Sequence, residues 1–348
     1  MKYTSLDGLR GIFSLLVVLF HLDITFMPGL LFNQFWIRES YILVDFFFIL
    51  SGFVIALHYT NRLHTAHDFF DFMRRRFKRI YPLLFFTSIV FLANLCTNGF
   101  TIFSVSYFQT ALQSQYSDIL ETLLLSNATP MLGTGYGINY PSWTVSAEMI
   151  SYFIFAWICL VKKLQIKTIL VGIVIIACVC FMLSEKTYFF NFSWGFIRGL
   201  LCFMLGFFVN TFNQTKIRLA AWLDLLVLPV IIILMYALNS FDPHDSQKQL
   251  FALLTVPLTF AMSIAVMLKS RGYFSQFLEH RIFQFLGRIS YSTYLNHALV
   301  ITVLPRLAFY HFRLPLTPSN QYLILLACMV VLIGYSYLTN RVVEGVRR

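Results

Sequence analysis

The chain has 348 residues, 58% hydrophobic and 12% charged, with a formal net charge of +11. Soluble domains carry about 25% charged residues, so this composition excludes an ordinary soluble protein; recurrent apolar stretches of about 17 residues or more mark a polytopic membrane protein. The positive charge does not point to nucleic acid, because the basic residues gather beside one set of span ends.

Ten spans are predicted, at 11–29, 41–59, 80–97, 142–161, 168–184, 193–212, 222–238, 250–268, 287–305 and 321–340. With the N-terminus in the cytoplasm, most of the 26 Lys and Arg residues fall on or beside the cytoplasmic side, including the dense run Arg74–Arg79. That asymmetry places both termini in the cytoplasm by the positive-inside rule. The expected fold class is therefore all-α: a transmembrane helical bundle of about ten spans. The first apolar stretch lacks the small-residue cleavage site of a signal peptide. Residues 1–348 read as one membrane domain with no appended soluble domain, internal repeat or low-complexity tract.

Along the chain, the first informative pair is Arg10 and His21. Eleven helical residues make about three turns, so the two share a face, roughly 16 Å apart along the axis. Ionisable groups in a span are costly and point to function, although His21 also suits an interhelical hydrogen bond. An imidazole is suited to accept and return a proton near neutral pH. Asp45 lies roughly 6 Å inside the second span and fits a salt bridge as well as a site. His64–Arg79, with Phe69, Phe70, Phe72, Met73 and Phe77 between its charges, reads as an interfacial amphipathic helix. Within it Arg76 and Arg79 share a face; such a fork matches phosphate geometry, and anionic lipid attraction explains the cluster equally well.

The outer segment Asn98–Pro141 contains no Lys or Arg, with a surface helix expected at Tyr116–Leu125. Gly133–Gly137 lacks the ending and context of a phosphate loop and is assigned no nucleotide role. Pro141 opens the fourth span, Trp143 suits the interfacial belt, and Glu148 follows about 9 Å inside. Arg198 enters the sixth span from the same side at comparable depth and is the expected partner of Glu148, as structure or as site. Tyr294 and His297 share a face of the ninth span at i, i+3, with Arg288 near its cytoplasmic end. His64, His67, His244, His280 and His311 read as surface residues. The six cysteines form no CxxC, and no His/Cys/carboxylate cluster has metal-ligand spacing, so no metal is expected. By depth, His21, Asp45, Glu148, Arg198 and His297 occupy the middle-to-outer half, while Arg10, Arg76, Arg79 and Arg288 border the cytoplasm.

These motifs resemble the acyltransferase family 3 of integral-membrane acyltransferases. The pieces are SLDGLRGIFSLLVVLFH at 5–21, VDFFFILSGFVI at 44–55, RRRFKRIYP at 74–82, WTVSAE at 143–148 and LGRISYSTYLNH at 286–297, in family order along the whole chain. Thr144, Val145 and Ala147 stand where that pattern more often has Ser, Leu and Val, and Asn296 replaces a more usual Trp. The resemblance implies an O-acetyltransferase of the bacterial inner membrane. It would move acetyl from cytoplasmic acetyl-CoA to a hydroxyl of a cell-surface or exported polysaccharide or lipopolysaccharide sugar. Glycan acceptor and membrane lipid are the expected partners.

On this reading His21 is the essential histidine, with Glu148 or Asp45 orienting it. Arg10, Arg76 and Arg79 hold the donor; Trp143, Arg198, Tyr294 and His297 face the acceptor. Direct transfer and an acetyl-His21 intermediate both remain open. A transporter or flippase of a glycan or lipid-linked intermediate is the rival reading, weakened by the lack of an inverted repeat or matched broken helices.

Overall fold

The computed structural model describes residues 3–96, 116–132, 135, 137–242 and 245–345. His244, most of Gly133–Gly137 and the first part of the Asn98–Pro141 segment lie outside them. Of the described residues 79% are helical, and none lies in a strand. Among the described residues ten principal helices overlap the predicted spans: α1 (Thr4–Phe20), α2 (Leu43–Tyr59), α3 (Ala66–Cys96), α4 (Trp143–Cys159), α5 (Leu164–Ser184), α6 (Gly195–Asn213), α7 (Val227–Asn239), α8 (Ser246–Ser270), α9 (Arg281–Arg306) and α10 (Pro318–Thr339).

Seven of these, some with an adjoining turn, are long and apolar enough to cross a membrane, which identifies an integral membrane protein. The expected count of about ten spans is not met by that measure, because α1, α3 and α9 fall outside it. The physical reason lies in their side chains. α1 has only 17 residues and carries Arg10; α3 carries the arginine run; α9 buries Ser290, Ser292, Thr293, Asn296 and His297. The helices least suited to lipid are those that carry Arg10, Arg76, Arg79 and His297.

Two boundaries differ from the sequence reading. The first helix covers Thr4–Phe20 rather than 11–29, because Leu6 and Leu9 already bury its first turns. It then stops in a turn at Asp23, whose side chain accepts from Thr25 N at 2.9 Å and whose carbonyl accepts from Phe26 N at 2.9 Å. His21 consequently caps α1 and is half-buried, rather than lying within the span. The interfacial helix and third span are one 31-residue helix, α3. Its start is a capping box: Thr65 Oγ1 accepts from Asp68 N at 3.1 Å, and Asp68 Oδ2 accepts from Thr65 N at 3.0 Å. The Thr65 hydroxyl and backbone donors hold the Asp68 carboxyl below its usual range.

α2 packs on α6 and α1 on α9, while α5 and α10 lie at the periphery with about a fifth of their apolar windows buried (22% each). The expected surface helix appears at Tyr116–Leu123; its Glu121 is buried and accepts from Gly135 N at 3.0 Å. Cys159, Cys178, Cys202 and Cys328 are buried free thiols that fill space.

Candidate functional site

The site begins with glycine. An added Cβ on Gly11 would lie 2.6 Å from Gly287 N, so α1 and α9 touch backbone to backbone at this level. Arg10 reinforces the contact, donating from Nη2 to Gly287 O at 2.7 Å, with Asp7 Oδ1 at 3.3 Å. The helices run parallel, and ten residues beyond each glycine stands a histidine: His21 after Gly11, His297 after Gly287. The shared register brings the two imidazoles together, ring centroids 5.0 Å apart.

Tyr140 completes this end, its ring 5.1 Å from His21 and 5.9 Å from His297. The turn that carries it is tied to α9, because Asn139 Nδ2 donates to Leu295 O at 3.1 Å. His21 Nδ1 lies 2.8 Å from Val17 O, and His297 Nδ1 lies 2.6 Å from Tyr294 O.

The other end is an open cleft whose lining includes Arg10, Arg76, Arg79, Glu148, Tyr294 and Glu344. Arg76 donates from Nη2 to the Tyr59 hydroxyl at 2.9 Å and lies over the Tyr59 and Phe72 rings, at 5.1 and 5.5 Å. Ring faces favour the cation and fix the guanidinium plane. Glu148 accepts from the Ser51 and Tyr152 hydroxyls, which lie 3.1 Å from each other. Ser292 donates to Glu344. Tyr294 joins the two ends: it lines the cleft, and its ring is 5.6 Å from that of His297.

Three expectations are corrected. Glu148 does not pair with Arg198; the arginine instead forms a bidentate bridge to Asp45, Nε–Oδ1 and Nη2–Oδ2 both 2.8 Å. Arg198 also donates to Asn191 Oδ1 at 3.2 Å and Tyr41 O at 3.3 Å, and both charged side chains are buried. Asp45 and Arg198 thus fasten α2 to α6. Depth along the chain cannot reveal which face of a helix a residue occupies, and here Asp45 faces α6 while Glu148 faces the cleft.

Second, neither carboxylate holds His21; the Val17 carbonyl does, one turn back on the same helix. Third, Trp143 is buried rather than interfacial, packed on the Gly195 backbone and 6.0 Å from the Phe48 ring.

The structure brings Arg10, Arg76, Arg79, Glu148 and Tyr294 into one cleft, and His21 and His297 into one cluster beyond it. Sequence reasoning missed Ser51, Tyr59, Tyr140, Tyr152 and Glu344. Tyr152 had a usable signal, one turn after Glu148; Glu344 had none, since it meets Ser292 only through the packing of the chain's end.

An arginine-lined cleft and, beyond it, a pair of histidines lie within one bundle of membrane helices. The chain matches the family model Acyl_transf_3, described as an acyltransferase domain, over residues 3–338, and it belongs to that family. Acyltransferase MdmB of Streptomyces mycarofaciens is 33% identical over 128 residues, covering 36% of this chain and 30% of that protein. Protein 2 in the picA locus of Rhizobium radiobacter is 39% identical over 87 residues, 24% of this chain and 40% of that one. The matched segments thus cover less than half of either relative. No solved structure matches the chain.

Proposed function

We propose that the protein is an O-acetyltransferase of the bacterial inner membrane, moving acetyl from cytoplasmic acetyl-CoA to a hydroxyl of a cell-surface or exported polysaccharide or lipopolysaccharide sugar. The observation that carries the reading is the continuity from three arginines, through Tyr294, to two histidines. Arg10, Arg76 and Arg79 supply charge-assisted donors for the phosphates of CoA. The extended pantetheine arm then runs along the cleft toward His21, and family membership supports acyl transfer as the reaction.

His21 does the proton chemistry. With Nδ1 committed to the Val17 carbonyl, Nε2 is the free base. It removes the proton from the acceptor hydroxyl as that oxygen attacks the thioester carbonyl. The tetrahedral adduct collapses with cleavage of the C–S bond, and the His21 imidazolium returns its proton to the departing CoA thiolate. Glu148, held by Ser51 and Tyr152, lines the same cleft as the arginines and adds a negative charge beside them.

Purified protein incubated with labelled acetyl-CoA and envelope glycan tests the reading. Release of free CoA with transfer of label to the glycan is the expected result. Glycan movement across vesicles without CoA release would replace the enzyme by a transporter.

A further inference from the structure

The histidine pair says more about the acceptor, on the footing of the acyl-transfer reading. A carbonyl oxygen only accepts, so the contacts of both Nδ1 atoms with backbone carbonyls assign the ring proton to Nδ1 in His21 and in His297. Each neutral ring is then left with Nε2 as an acceptor, and two acceptors cannot satisfy each other. His297 is fully buried, and its Nε2 meets no partner among the described residues. Buried polar atoms are normally paired, so this acceptor is open to a donor that a bound molecule would supply. Asp45 and Arg198 are bound to each other, and Glu148 to Ser51 and Tyr152.

We propose that the acceptor subsite recognises two neighbouring hydroxyls of one molecule, a vicinal diol of the kind a sugar ring carries. The hydroxyl to be acylated donates to His21 Nε2, and its neighbour donates to His297 Nε2. The Tyr140 ring, beside both imidazoles, offers a flat apolar wall to the C–H face of the same ring. The Gly11–Gly287 contact holds the spacing of the two acceptors, which makes the pair a selective reader of adjacent hydroxyls rather than two independent contacts. An acceptor with one hydroxyl leaves His297 unpaired and binds more weakly.

The test needs no acetyl-CoA. Diethyl pyrocarbonate modifies accessible neutral imidazoles, and peptide mass spectrometry follows the half-buried His21. cis-1,2-Cyclohexanediol is expected to protect His21 at roughly two- to tenfold lower concentration than cyclohexanol, the range one neutral hydrogen bond supports. In His297→Phe the two alcohols should protect equally, whereas His297→Gln, which keeps an acceptor, should retain part of the preference. Equal protection by both alcohols in the unaltered protein overturns the proposal, as does an unchanged diol preference in folded His297→Phe. A diol preference without acetyl transfer in the turnover assay would sink the proposed reaction and leave the subsite standing. Turnover without the preference would do the reverse.

Discussion

The His21 ring is anchored by one hydrogen bond within its own helix and touches Phe20, Tyr140 and His297 only through ring faces and edges. So little of the fold depends on it that His21→Ala should keep its thermal stability in detergent. CoA release should nevertheless fall by about 10²–10⁴-fold, the usual worth of a general base. Turnover near normal in a folded variant would remove His21 from the chemistry. Arg79→Ala tests the donor end more cleanly than Arg76→Ala, because Arg76 also rests on the Tyr59 and Phe72 rings. Calorimetry should show weaker acetyl-CoA binding in Arg79→Ala and partial recovery in Arg79→Lys, since lysine keeps the charge without the planar fork. Unchanged binding would leave the cluster to topology and lipid. His21 and Glu148 stand out in the sequence because an ionisable group in an apolar run is conspicuous by itself, and Arg76 and Arg79 because they belong to a dense basic run. Ser51 and Tyr140 are ordinary residues there and become visible only when chain-distant partners meet.

At the scale of helices, approximate positions are legible from hydropathy, with the first helix displaced seven residues at its start, and their faces are not. The Asp45–Arg198 bridge shows the consequence: two residues 153 apart in sequence join α2 to α6, where reading by depth had paired Arg198 with Glu148. Removing one partner leaves a buried uncompensated charge, so Asp45→Asn and Arg198→Met should each destabilise the protein by about 3–5 kcal/mol. The double variant Asp45→Leu, Arg198→Met should recover most of that loss in thermal unfolding and keep activity. Activity lost in a restabilised double variant would return the pair to the site. The α1–α9 contact has its own test. Gly287→Leu should force the backbones apart, disturb the His21–His297 register and reduce turnover, with the α1 start loosened in hydrogen exchange. Gly334→Leu on α10 meets nothing within 4 Å and is the control that should change neither.

For the whole molecule, the two chain ends meet at the arginine end of the bundle. Arg10 of α1 donates to Gly287, Asn340 Nδ2 contacts Arg288 O at 3.4 Å, and Glu344 accepts from Ser292. The exposed residues Arg74, Arg75 and Lys216 lie in the segments predicted on this side, while the turn after His21 lies at the far end of α1. Basic connections are retained in the cytoplasm, so the cleft that would take acetyl-CoA should open there and the diol-reading end should approach the opposite leaflet. Single cysteines introduced into a variant lacking the exposed Cys180 can check this with a membrane-impermeant maleimide. Ile24→Cys, exposed beyond His21, should be labelled in intact cells, and Lys216→Cys only after the membrane is opened. The reverse pattern would put the arginines outside the cell, away from the cytoplasmic pool of CoA, and the donor assignment would fall with the orientation.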